Sequence, residues 1–136
     1  MADPIMIPDF ALVEKLNVLR TQLFATLTIR LFKNDWVPAV GDSSGQYQEA
    51  DFSGYAAKPM TPWDAVTIDL GVASVHIGPF AWQHNGGPIA NTIFGWYAGS
   101  PSGKVIFASR RGAGPIVLNG IGQSYSVDVV TTDERS

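Results

Sequence analysis

The chain has no cysteine, which removes disulfides and thiolate metal centres and leaves packing alone to hold the fold. Charge is also scarce: Asp, Glu, Lys and Arg make up 15% of 136 residues, with a net charge of -3 and an isoelectric point near 5.1. The basic residues are scattered except for Arg110-Arg111, so the electrostatic footprint of a nucleic-acid binder is missing. No apolar run approaches the length of a membrane span. The opening MADPIMIPDF has acidic residues and prolines, whereas a secretory signal needs a basic start and a continuous apolar stretch. The expectation is a soluble product made in the cytoplasm, with neither nucleic acid nor membrane as partner.

What the chain does have is hydrophobic residues, 46% of the total. That is enough for one compact domain and too short a chain for two. With so little charge, part of the surface is expected to be contact surface, as in a subunit of an assembly. The expected organisation is an extended arm over residues 1–8 and a single domain over residues 9–136.

One helix is expected, over about residues 9–24. Leu12, Leu16, Leu19 and Leu23 recur at helical spacing, and Asp9 after Pro8 can cap the first turn. The resulting leucine stripe must be buried, either on the domain's own β core or against a neighbouring subunit. From Ala25 the pattern becomes alternating: Leu27, Ile29 and Leu31 on one side, Thr26, Thr28 and Arg30 on the other. After KNDWVP comes a long loop-rich interval, and strands resume at about Trp63. WDAVTIDL, VASVHIG running toward FAWQH, TIFGWYAG, KVIFASR, GPIVLN and QSYSVDVV follow, punctuated by glycine, proline or serine. Seven or eight short strands after one helix predict a mainly β fold, an antiparallel β-sandwich or jelly-roll-like domain preceded by one N-terminal amphipathic helix. Within TIFGWYA, alternation sets Ile93, Gly95 and Tyr97 against Phe94, Trp96 and Ala98, as in a central strand, and Gly95 suits a bulge or a close backbone approach.

Several segments could carry chemistry. Gly41-Asp42-Ser43-Ser44-Gly45 matches the surroundings of a serine protease nucleophile, but both histidines, His76 and His84, come after it. That order is wrong for a chymotrypsin-like triad, and Asp42 and Ser43 read better as turn formers. Glu49, Asp51, Asp64 and Asp69 lack the spacing of a glycosidase pair, and DSSGQYQEAD departs from a calcium loop at several ligand positions. His76 alternates with Val75 and Ile77 as an exposed strand residue, His84 sits in the turn QHNGGP, and two histidines without a third ligand do not specify zinc. No catalytic, metal or cofactor site is therefore expected, and no enzyme activity. Trp36, Trp63, Trp82 and Trp96 with Tyr47, Tyr55, Tyr97 and Tyr125 could stack sugars. The competing reading puts Trp63, Trp82 and Trp96 in the core and some tyrosines at a subunit interface.

The order of these features resembles a widespread group of small structural proteins of tailed bacteriophages. The segments carrying the resemblance are Leu31-Phe32-Lys33-Asn34-Asp35-Trp36-Val37-Pro38, Phe52-Ser53-Gly54-Tyr55-Ala56 and Ile93-Phe94-Gly95-Trp96-Tyr97. The resemblance implies a virion structural component without a catalytic motif. The resulting expectation is a capsid decoration or cement protein on the outer capsid surface, made in the host cytoplasm, with the major capsid protein as partner. It would associate with itself as a homo-oligomer, most simply a trimer. Expected contact residues are Ile5, Met6 and Ile7 of the arm, Leu12, Leu16, Leu19 and Leu23 of the helix, and Trp36, Tyr47 and Tyr55. The alternative is a tail-tip or fibre-associated domain binding a host-surface glycan through the loop of residues 41–55 and exposed tryptophans.

Overall fold

The computed structural model describes residues 9–134; Ile5, Met6 and Ile7 lie outside them. The chain is mainly β, with antiparallel sheets and one N-terminal helix. The helical path extends slightly past the expected end and changes its winding on the way. Helix α1 (Asp9–Val18) passes into a π-helical turn (Leu19–Leu23) and a 3-10 turn (Phe24–Thr26). The Phe24 N–H reaches back to the Leu19 carbonyl, and the Thr21 hydroxyl donates to the Asn17 carbonyl at 2.9 Å. A wider turn rephases the buried face: Leu12 and Leu16 are buried, Leu19 and Leu23 only partly, and Phe24 takes over as the buried residue. Of the two burials expected for the leucine stripe, the chain's own β core or a neighbouring subunit, the stripe makes the first: Leu12 and Leu16 enter the main core and Leu19 and Leu23 pack against it. Leu12 and Leu16 are each 2% exposed and so offer no surface to a partner while the helix stays docked.

Among the described residues nine strands follow: β1 (Thr28–Phe32), β2 (Lys58–Pro59), β3 (Thr67–Asp69), β4 (Val72–Gln83), β5 (Asn91–Ile93), β6 (Gly95–Gly99), β7 (Val105–Arg110), β8 (Ile116–Leu118) and β9 (Ser124–Glu134). They form a four-stranded sheet ordered β2-β1-β6-β7, a three-stranded sheet β3-β4-β9 and a ribbon β5-β8. The main core gathers the inner faces of all three in a sandwich-like arrangement. Ile29, Leu31 and Ala98 come from the first sheet, with Leu27 just ahead of β1, Val75, Ile77, Trp82, Tyr125, Val127 and Val129 from the second, and Ile93 and Leu118 from the ribbon. Trp63 and Trp82 are buried and Trp96 packs against the same core, as the packing reading of the tryptophans had it.

Two departures from the expected strands have local causes. β4 and β9 pair from Val72↔Glu134 to Gln83↔Ser124, with a register shift between Ile77 and Phe80. Gly78 occupies this bulge at φ +127°, and a Cβ there would stand 2.7 Å from Asp128 Oδ1, so only glycine fits. The second departure is in TIFGWYA. The chain leaves the ribbon after Ile93 and joins the four-stranded sheet at Gly95, so alternation breaks at Phe94. Ile93 therefore shares the main core with Trp96 and Ala98, not a face with Tyr97. Tyr97 and Phe94 belong to a second cluster with Phe32, Tyr47, Trp36, Val105 and Ala108. β6 does run between β1 and β7, and Gly95 does mark a close approach: a Cβ there would overlap the Ser109 carbonyl and stand 2.8 Å from the Phe32 ring.

Candidate functional site

The outer face of the four-stranded sheet is covered by residues 34–50, which fold back across it. Lys33 N–H donates to the Gln48 carbonyl at 2.8 Å and Ala50 N–H to the Leu31 carbonyl at 2.9 Å. Asn34 fastens both ends of the excursion, its amide donating to the Gln46 carbonyl at 3.0 Å and its Oδ1 accepting from Gln48 N–H at 2.8 Å. Beneath this cover Tyr47 stacks on Tyr97, with ring centroids 4.6 Å apart and planes 18° from parallel, and Phe32 meets Tyr47 edge-on.

Two carboxylates organise the cover. Asp42 Oδ2 accepts from the Trp36 indole N–H at 2.9 Å, the Ala39 backbone N–H at 2.9 Å and the Tyr47 hydroxyl at 2.8 Å. These bonds, the Trp36 indole first, hold its carboxyl below the ordinary value, and burial with the same bond pushes the Tyr47 phenol far up. Glu49 Oε2 accepts from the Tyr55 hydroxyl at 2.8 Å and lies 3.3 Å from Arg30 Nε. Tyr55 also accepts from Leu31 N–H at 3.2 Å, which ties the FSGYA segment to β1; burial and then the Glu49 bond raise its phenol. Asp51 is held by Lys33 at 3.0 Å and by Asn91 at 2.9 Å, with its pKa lowered mainly by Asn91.

Trp36, Tyr47 and Tyr55, expected at contacts, are thus brought together as internal struts. Tyr47 is buried and the other two are half-buried, each with its polar atom already bonded to a carboxylate of the cover. Tyr47, which is buried, offers no open ring platform for a sugar. Ser43 caps a single 3-10 turn (Ser44–Gln46), and Gln46 Oε1 accepts from its N–H at 2.6 Å and its hydroxyl at 2.9 Å. The protease-like segment is a turn closure.

The histidines are engaged elsewhere. His84 is 1% exposed; its Nε2–H donates to the Ile89 carbonyl at 2.8 Å and its Nδ1 accepts from Gly86 N–H at 3.0 Å, which staples the turn. His76 lies on the wet face of β4 between Asp64 at 2.6 Å and Asp128 at 3.0 Å. Among the described residues no three His, Asp or Glu side chains converge on a metal position, and no helix is long and apolar enough to cross a membrane.

Two grooves flank the cover. One, of about 420 Å³, lies over β1 and β6 and is lined by Thr28, Arg30, Ser44, Glu49, Tyr97 and Ser100 among others. The other, of about 370 Å³, runs between residues 38–42 and β7, with Val40, Val105, Ile106 and Phe107 in its walls. β7 is the edge of its sheet. The strip opposite it is anchored at both ends: Ser43 bridges Lys104, and Arg110 donates to the Trp36 carbonyl at 3.1 Å and pairs with Asp35 at 2.6 Å.

No protein-family model, curated protein or solved structure matches the chain. Its function therefore rests on the grooves, the exposed side chains and the residues that build them. Arg30 was no candidate in the sequence, Glu49 was one only as a glycosidase or calcium carboxylate, and Tyr97 one only as an aromatic that could stack a sugar. Arg30 looked like one polar position in an alternating strand, and nothing in the spacing places it beside residues 19 and 67 positions away.

Proposed function

We propose that this chain is a virion structural protein, a capsid decoration or cement protein of a tailed bacteriophage. It would bind the major capsid protein on the outer shell, most simply as a homotrimer. The supporting observation is the apolar slot beside β7. Val40 is 108% exposed and lines the groove whose far wall carries Ile106, itself 36% exposed. An unpaired sheet edge next to clustered apolar side chains accepts an extended segment of another chain, with backbone hydrogen bonds supplying affinity and alternate side chains filling the slot. The strip is pinned at both ends, so the slot is preformed and little ordering opposes docking. Repetition over a symmetric shell makes many weak contacts strong together.

The test is to mix the protein with phage heads lacking it and to locate it by cryo-electron microscopy. Regular density at local symmetry axes, lost with Val40→Asp and Ile106→Asp variants that still fold, is the expected result. Density on tails alone, or on neither particle, would overturn the capsid reading.

A further inference from the structure

The groove over β1 and β6 differs in chemistry from the apolar slot. Tyr97 is 3% exposed, yet it lines the groove, and its hydroxyl has no hydrogen-bond partner among the described residues. Burial, with the Glu49 charge adding to it, pushes its phenol up to about 12, so it is a neutral hydroxyl that can both donate and accept. Arg30 and Glu49 meet through Nε and Oε2, and Tyr55 also uses Oε2. Among the described residues neither terminal guanidinium nitrogen of Arg30 nor Glu49 Oε1 makes a hydrogen bond. Thr28, Ser44 and Ser100 add hydroxyls at the rim.

The charges in this lining decide the ligand class. An anion drawn to Arg30 would meet Glu49, and a cation drawn to Glu49 would meet Arg30, so neither is favoured. Arg30, Glu49 and the hydroxyl side chains would be left desolvated under a wholly hydrophobic ligand, while Tyr47, Tyr97 and Pro101 supply apolar wall beside them. Adjacent donor and acceptor groups fit a neutral molecule with neighbouring hydroxyls, each able to give one hydrogen bond and receive another. We infer that this groove is a binding site for a neutral saccharide, with one vicinal diol donating to Glu49 Oε1 and accepting from Arg30, and a further hydroxyl on Tyr97. The inference is independent of capsid attachment, since the two grooves share only Tyr47 among their lining residues.

The experiment is an NMR titration of the intact protein with glucose, galactose, mannose and N-acetylglucosamine, with inorganic phosphate as the charged probe. At least one sugar is expected to give saturable shifts at Thr28, Arg30, Glu49, Tyr97 and Ser100, with a dissociation constant of about 1 mM or weaker, as befits a small ligand in an open groove. Tyr97→Phe, which keeps the ring and removes the hydroxyl, should weaken that sugar about 3-fold to 10-fold. Thr28→Val, at the rim and outside the Arg30, Glu49 and Tyr55 network, serves if Tyr97→Phe fails to fold, and it should weaken binding in the same direction. Phosphate should leave these signals unmoved. Absence of saturable shifts with all four sugars, shifts elsewhere on the molecule, phosphate binding at the groove, or unchanged affinity in the folded variants would each overturn the inference. Capsid attachment is read separately by microscopy, so failure of one proposal leaves the other standing.

Discussion

The His76 imidazole lies 2.6 Å from Asp64 through Nδ1, and its other nitrogen lies 3.0 Å from Asp128. A neutral imidazole has one N–H, so two carboxylate acceptors on its two nitrogens are both satisfied only by the doubly protonated ring. Asp64 arrives from the segment ahead of β3, where its N–H donates to the His76 carbonyl at 2.8 Å, and Asp128 comes from β9. Arg20 is the nearby cation, its guanidinium reaching the Trp63 and Asp64 carbonyls.

The bond to Asp64 first, and that to Asp128 second, raise the His76 pKa above its ordinary value. A raised folded-state pKa means that the stabilisation is fully present below the unfolded value, about pH 6.5. It is lost as pH rises through the folded value. The thermal midpoint of the protein should therefore exceed that of His76→Gln most at acid pH, with the gap closing as pH rises. Titration of the His76 ring by NMR checks the same point, and a midpoint at or below the ordinary histidine value would contradict it.

Gly95→Ala should be strongly destabilising, because the added methyl would overlap the Ser109 carbonyl and the Phe32 ring. Overpacking of this kind costs about 1–3 kcal/mol. Gly112 has open space around its Cβ position and no positive φ, so Gly112→Ala should stay within about 0.5 kcal/mol of the parent. Urea unfolding of both variants decides the matter, and equal midpoints would show that the Phe32 ring and the β7 backbone can yield.

Leu16→Ala should cost about 2–5 kcal/mol, as a large-to-small change in a packed core does. Phe10, on the same helix and 76% exposed, should tolerate Phe10→Ser with little loss of stability. If Leu16→Ala unfolds at the parent's midpoint, the helix is not docked on the sheets in solution and the leucine stripe becomes available to a partner again.

Alternation was legible where a strand has one wet and one dry face along its whole length. In β9, Tyr125, Val127 and Val129 are buried while Ser126 and Asp128 are exposed, as the pattern required. It failed at Phe94, because a chain that changes sheets between two residues keeps its composition while its phase flips. The helix was legible through its leucines, but the π turn was not: spacing alone gives no sign that Phe24 replaces Leu23 on the buried face. Polar groups were the least legible. Asp42, Glu49 and Asp51 read as a solvated loop, whereas their bonds to Trp36, Tyr47, Tyr55, Lys33 and Asn91 fix that loop onto the sheet.

Sequence alone was enough for a mainly β fold with antiparallel strands and an N-terminal helix, since period and turn chemistry are local properties set by neighbouring residues. Tertiary structure decided which side chains meet. His76 is 12 residues from Asp64 and 52 from Asp128, and the two carboxylates reach it because antiparallel pairing brings distant positions into one row across a sheet. The same pairing sets Arg30 opposite Tyr97, and the covering loop then brings Glu49 to the pair. Local pattern carries no information about such neighbours, so both grooves exist only in the folded chain.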